Sequence, residues 1–167
     1  MSSSDRRTFL LMLGALPLAG CGYAPAYGPA GKAGVLQDSI EFAAPTTRDA
    51  FLFVARLEDR LGRSAAPAYR LGYSLSTYRV DLAVDTSGAI LRYNLVGTVD
   101  WQLTDATTGA VVLSGREQNF TGSAATSATI QAQAADDDSR GRLMVILADQ
   151  IVTKLVAGAA GLPAQAG

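Results

Sequence analysis

Cys21 is the only cysteine of the 167 residues, and it directly follows Leu18-Ala19-Gly20 at the end of a short apolar run. Arg6 and Arg7 precede that run, which extends from Phe9 to Leu18. A charged start, an apolar middle and a small-residue junction together make a secretory signal. At about ten residues the apolar segment falls well short of the roughly 20 that a membrane-spanning helix needs. A lone cysteine at such a junction has no partner for a disulfide within the chain. The sequence also has no histidine, which removes the commonest general base and the commonest neutral metal ligand. A zinc site would have to be built from carboxylates alone, which is unusual. Composition therefore argues against an enzyme, although Ser-Lys and carboxylate mechanisms need no histidine.

Leu18-Ala19-Gly20-Cys21 resembles the lipobox of bacterial lipoproteins at all four positions. In that family the cut falls between Gly20 and Cys21. Cys21 then carries a diacylglycerol thioether on its sulfur and an acyl chain on its new amine. The alternative is an ordinary signal peptide followed by an incidental cysteine. Arg6-Arg7-Thr8-Phe9-Leu10 also resembles the twin-arginine export motif, with Asp5 and Leu11 departing from its pattern. A general-secretion signal that happens to carry two arginines is the other reading. Gly22, not Asp, follows the cysteine, and by the lipoprotein sorting pattern that is compatible with transfer to the outer membrane. Stable anchoring takes more than one acyl chain, and a mature lipoprotein carries three.

The expected organisation is a cleaved signal peptide over 1–20, a lipidated tether over 21–34, one domain over 35–160 and a flexible tail over 161–167. The tether is rich in Gly, Ala and Pro, a composition that buries little. Its Tyr23 and Tyr27 can sit at the headgroup level or dock on the domain. Lys+Arg 14 against Asp+Glu 15 leaves a net charge of −1, so no global field attracts nucleic acid.

Within the domain, Val35–Ala44 reads as a first strand with Val35, Ile40 and Phe42 in the core. Pro45 ends it. Thr46 or Thr47 caps a helix with Asp49 in its first turn. Ala50, Val54, Leu57 and Leu61 form its apolar stripe, widened by Phe51 and Phe53, and Gly62 stops it. Tyr69–Asp85 has Leu71, Tyr73 and Leu75 on one parity and Tyr78, Val80, Leu82 and Val84 on the other. Keeping both sets in a core requires a β-bulge near Ser76-Thr77. Ala89–Thr104 alternates, with Leu91, Tyr93, Leu95, Val99, Trp101 and Leu103 on one side. Ala110–Ser123 is a fourth strand. The last helix starts near Ala128 and carries Leu143, Ile146, Leu147, Ile151 and Leu155 to a stop at Gly158 and Gly161, with a kink possible at Gly141. The order β-α-β-β-β-α implies an α+β two-layer sandwich: a four-stranded, mostly antiparallel sheet covered by two helices.

Few constellations carry chemistry. Asp136-Asp137-Asp138 cannot converge on one cation, because neighbours on a helix point about 100° apart. They read as a solvated face. Lys32 and Lys154 lack a nucleophile setting, and no glycine loop follows a strand and opens a helix to hold phosphate. Arg92 and Arg116, together with Arg79, could gather on the exposed sheet face as a patch for a phosphorylated glycolipid. The alternative is ordinary surface arginines paired with Asp81, Asp100 or Glu117.

Cys21-Gly22-Tyr23-Ala24-Pro25-Ala26-Tyr27-Gly28 resembles the mature start of the alphaproteobacterial LptE family of lipopolysaccharide-assembly lipoproteins. The element order is similar too, as is the passage from Asn119-Phe120 to Leu147-Ala148-Asp149-Gln150-Ile151. The resemblance implies a non-catalytic outer-membrane lipoprotein without a cofactor other than the lipid on Cys21. It implies a position on the periplasmic side and within the lumen of the lipopolysaccharide translocon, an LptD-type β-barrel. There it would plug the barrel, help it assemble and contact lipopolysaccharide. The rival class is the auxiliary lipoproteins of ATP-driven lipid-transport systems.

Overall fold

The structure is a computed structural model that describes residues 32–124 and 129–162. The expectations for the signal peptide, for Cys21 and for the tether aromatics Tyr23 and Tyr27 lie outside the described residues, as does the tail from 163.

The domain is α+β, with element order β1 (Ile40–Phe42), α1 (Arg48–Leu61), β2 (Tyr69–Val84), β3 (Ile90–Asp105), β4 (Val111–Ala124) and α2 (Thr129–Gly158). The strands form one sheet in the order β1-β2-β3-β4. β1 runs parallel to β2, and the other two pairings are antiparallel. The β-α-β-β-β-α order and the mostly antiparallel sheet are those the sequence pattern implies.

The first strand is much shorter than its apolar pattern suggests. Lys32–Leu36 is a 3-10 turn, which buries Leu36 but leaves Val35 42% exposed. The chain turns because Asp38 adopts a left-handed φ of 52° and its N–H donates to Leu61 O at 2.8 Å. Ser39 Oγ closes the turn on Val35 O at 2.7 Å. Only Ile40–Phe42 remains to pair with Tyr69–Leu71.

α1 begins and ends on the residues its sequence marks. Thr47 is the cap, its hydroxyl accepting from Ala50 N–H at 3.1 Å. Asp49 stands in the first turn, where the helix end is positive. Ala50, Phe53, Val54, Leu57 and Leu61 are buried, each large one worth roughly 1.5–3 kcal/mol in area removed from water. Phe51 departs from expectation and stays 63% exposed. Gly62, at φ 79°, ends the helix and donates to Glu58 O at 2.8 Å.

The expected bulge at Ser76-Thr77 is absent. Pairing runs unbroken through Ser76↔Thr98 and Thr77↔Gly97, and the irregularity falls at Asp81–Val84 instead. The strand keeps its parity through Asp81, so Tyr78 and Val80 point away from the helices; Leu82 and Val84 fall in the irregular end, and all four are 40% exposed or more. Leu91, expected in the core, is also exposed, because it lies in the hairpin end beyond that shift. From Tyr93 to Leu103 the expected β3 alternation holds, with Tyr93, Leu95, Val99, Trp101 and Leu103 buried.

α2 packs over β3 and β4, with Leu143, Met144, Leu147, Ala148, Ile151, Val152 and Leu155 at 1% exposure or less. It is long and apolar enough to cross a bilayer by length and composition, yet the sheet takes up this apolar side. Gly141 neither breaks the helix nor ends it. Two glycines set the close approach: a Cβ at Gly97 would lie 2.9 Å from Leu147 Cδ1, and one at Gly158 2.8 Å from Leu113 Cδ1.

Candidate functional site

Both helices sit on one face of the sheet, so among the described residues the other face is built from strands alone. Register assigns its residues. Opposite residues share a face, and the row Ser74–Asp100–Arg116 crosses β2, β3 and β4, followed by Ser76–Thr98–Gln118 and then Tyr78–Val96–Phe120. The face therefore has a polar half and an apolar end. Tyr78 is 50% and Phe120 58% exposed, with Val96 half-buried between them. Val80 and Leu82 extend the apolar region toward the β2–β3 hairpin. In the polar half, the small residues Gly72, Ser74 and Ser114 leave a shallow trough beside Asp100 and Gln102.

Sequence reasoning missed this apolar end because it assigned Tyr78 and Val80 to a core through a bulge. One signal was present: Val96 and Phe120 interrupt the polar parity of β3 and β4.

The proposed arginine patch does not assemble. Arg92 and Arg116 share the uncovered face, but Arg116 stands opposite Asp100, eight residues along β3 from Arg92, which is roughly 27 Å at strand rise. Arg116 is engaged by Asp100 through a two-pronged pair, Nε–Oδ1 2.6 Å and Nη2–Oδ2 2.9 Å. The Arg116 hydrogen bond holds the Asp100 carboxyl below its ordinary range. Arg92 makes no ion pair among the described residues. Arg79 lies on the opposite, helix-bearing face, 3.7 Å above the Tyr93 ring and bonded to Asp81.

The aspartate run diverges as helical spacing requires. Asp136 accepts from Arg140 Nε at 2.7 Å and from the Tyr93 hydroxyl at 3.1 Å. Asp137 pairs with Arg48, and Asp138 with Arg142. The described residues contain no acidic cluster able to hold a metal. Asp136 is more than a solvated side chain. Burial opposes its charge, but Arg140, Tyr93 and Arg79 outweigh burial and leave its pKa lowered. Arg140 also donates to Asp49 Oδ2 at 3.1 Å, so one guanidinium ties α2 to the first turn of α1. Farther along, Arg56 grips Asp149 with Nε and Nη2 at 3.0 Å each. Arg48–Asp137, Arg140–Asp49 and Arg56–Asp149 join helix to helix, whereas Asp136–Arg140 and Asp138–Arg142 lie within α2.

A family model for lipopolysaccharide assembly, LptE, matches residues 38–155. The chain belongs to the LptE family. A crystal structure from Caulobacter crescentus, of a protein assigned as a lipoprotein, is 33% identical and covers 81% of this chain and all of its own, with a TM-score of 0.66. The rare lipoprotein B of Shewanella oneidensis has the same fold at 13% identity, 74% and 96% coverage and a TM-score of 0.58. A minor lipoprotein of Acinetobacter baumannii does so at 19% identity, 77% and 95% coverage and 0.52. No curated protein sequence matches the chain. Family membership assigns the chain to lipopolysaccharide assembly, which is an outer-membrane task, and the matched span includes every strand and most of α2.

Proposed function

We propose that this chain is an outer-membrane lipoprotein, anchored through lipid on Cys21, that plugs the lumen of the lipopolysaccharide-translocon β-barrel and helps it assemble. It has no catalytic step of its own. The observation that carries this reading is the sheet face on which, among the described residues, no helix packs. β2 and β3 span 16 residues each, roughly 53 Å at strand rise, longer than the roughly 25 Å apolar band of a barrel wall. A domain of that length can stand within a barrel and project from it. The polar half of the face suits a polar lumen, and the Tyr78–Val96–Phe120 row supplies an apolar contact within it.

The phosphate-binding role for arginine becomes a proposal about separate cations. Arg92 is the stronger candidate for a lipopolysaccharide phosphate, since Arg116 already has Asp100. A detergent pull-down of the mature lipidated protein tests the main reading. Recovery of a large β-barrel supports it. Recovery of ATP-driven transporter components without a barrel overturns it in favour of the auxiliary-lipoprotein class.

A further inference from the structure

α2 changes character at Ser139. From Leu143 to Leu155 it lays a row of fully buried side chains into the core, and Arg56 of α1 holds Asp149 on the same stretch. From Ile130 to Asp138 no side chain is buried, and none belongs to the core cluster. Ser139 marks the boundary. Its side chain is fully buried, and its carbonyl accepts from the Thr121 hydroxyl of β4 at 3.0 Å. N-terminal to it, Ile130–Asp138 is an arm of about 14 Å of helix that does not enter the core.

Polar contacts hold this arm. Asp136 accepts from the Tyr93 hydroxyl of β3 at 3.1 Å and from Arg140 Nε at 2.7 Å. Arg140 in turn donates to Asp49 of α1 at 3.1 Å, and Asp137 meets Arg48 at 3.2 Å. These contacts are unequal. Arg48 is 72% exposed, so its pair with Asp137 contributes little. Asp49 is only 16% exposed, and Asp136 and Arg140 are about two-thirds covered. Charged hydrogen bonds in that setting are the stronger kind. Arg79 of β2 stands 3.7 Å over the Tyr93 ring and adds positive charge beside Asp136. Asp138 takes no part, because its partner Arg142 lies on α2 itself.

Ala132, Ala134 and Ala135 favour the helical state in this stretch. Most helical stability in proteins comes from packing an apolar face, and the arm lacks that contribution.

We infer that Ile130–Asp138 opens from the domain as a unit of its own, ahead of global unfolding, and that the Asp136–Tyr93 and Arg140–Asp49 contacts are its latch. The arm is a lid on one end of the helix-bearing face. Opening it bares Tyr93, which is 4% exposed beneath the closed arm, and frees the Tyr93 hydroxyl from Asp136.

Amide hydrogen exchange on the full lipidated chain tests this, read as protection relative to unstructured peptide. The first four N–H groups of a helix have no intrahelical partner, so Ala134–Asp138 report the arm and Met144–Val152 the buried half. Protection should be similar along Ala134–Asp138, at least about tenfold below that of Met144–Val152, and should fall further in about 1 M salt, which screens the latch. Ile151→Val removes a buried methyl group. It should lower protection several-fold at Met144–Val152 and leave Ala134–Asp138 unchanged, because the arm opens without disturbing that side chain. Asp136→Asn should lower protection of the arm about fivefold, and Asp138→Asn by no more than about twofold. An Ile151→Val effect as large on the arm as on the buried half overturns the inference, since α2 then unfolds as one piece. A steady gradient from Ala134 to Val152 overturns it too, as ordinary end fraying. Arm amides exchanging at the rate of unstructured peptide would mean that no closed arm exists, and equal losses from Asp136→Asn and Asp138→Asn would remove the latch.

Discussion

Gly97 of β3 and Leu147 of α2 meet where a side chain would not fit: a Cβ on Gly97 would lie 2.9 Å from Leu147 Cδ1 and 3.0 Å from Leu143 Cδ2. Both leucines are fully buried, so neither can swing aside into solvent. Gly97→Ala should cost about 1–3 kcal/mol, the usual range for overpacking, read as a lower urea midpoint at unchanged slope. An unchanged midpoint would mean that α2 can lift from the sheet freely.

Gly141 predicts the opposite sign. It lies inside α2 with nothing within 4 Å of where its Cβ would be. Gly141→Ala should stabilise the domain by about 0.5–1 kcal/mol through helix propensity alone, raising the thermal midpoint. A loss of stability would show that the helix needs the glycine's backbone freedom.

Asp136 predicts a pH dependence. Its pKa lies below the ordinary 3.8 in the folded state, so its contribution is complete above that value and is lost as pH falls through the lowered one. Asp136→Asn should cost about 1 kcal/mol at neutral pH, a charged hydrogen bond discounted for partial exposure. It should also flatten the stability decline below about pH 4. Chemical unfolding across pH 2–7 checks both, and an identical acid slope in the variant would refute the assignment.

Tyr78 and Phe120 separate folding from partner contact. Both are at least half exposed on the uncovered face, so the Tyr78→Ser, Phe120→Ser double variant should keep its melting temperature. Under the plug reading it should lose barrel recovery in the detergent pull-down. Equal recovery would remove this row from the interface.

Cys21 carries the anchor prediction. Cys21→Ser should move the exported chain from the membrane pellet to the soluble periplasmic fraction, since lipid on that sulfur would no longer form. Continued sedimentation with membranes would mean that protein contacts suffice for anchoring.

Much of the fold is legible in the sequence because helix signals are local. Thr47, the Ala50–Leu61 stripe and Gly62 bound α1 through bonds to residues three or four positions away, and the alternation from Tyr93 to Leu103 reports one buried face. Three features escaped for a common reason. Val35, the Tyr78–Val84 set and Phe51 are apolar residues whose burial depends on whether another element covers them, and local pattern does not encode coverage. An apolar side chain was read as core in each case.

The sequence alone determined the element order, the helix limits and a single cysteine at a signal-type junction, because periodicity, capping and composition are properties of neighbouring residues. Tertiary structure decided which sheet face the helices leave uncovered. It also sent Arg79 to one face and Arg92 and Arg116 to the other, spaced well apart. β1 ends after three residues, so among the described residues most of β2 has no strand paired on that edge. These depend on strand register and on how far each helix reaches along the sheet, quantities set by contacts between residues distant in the chain.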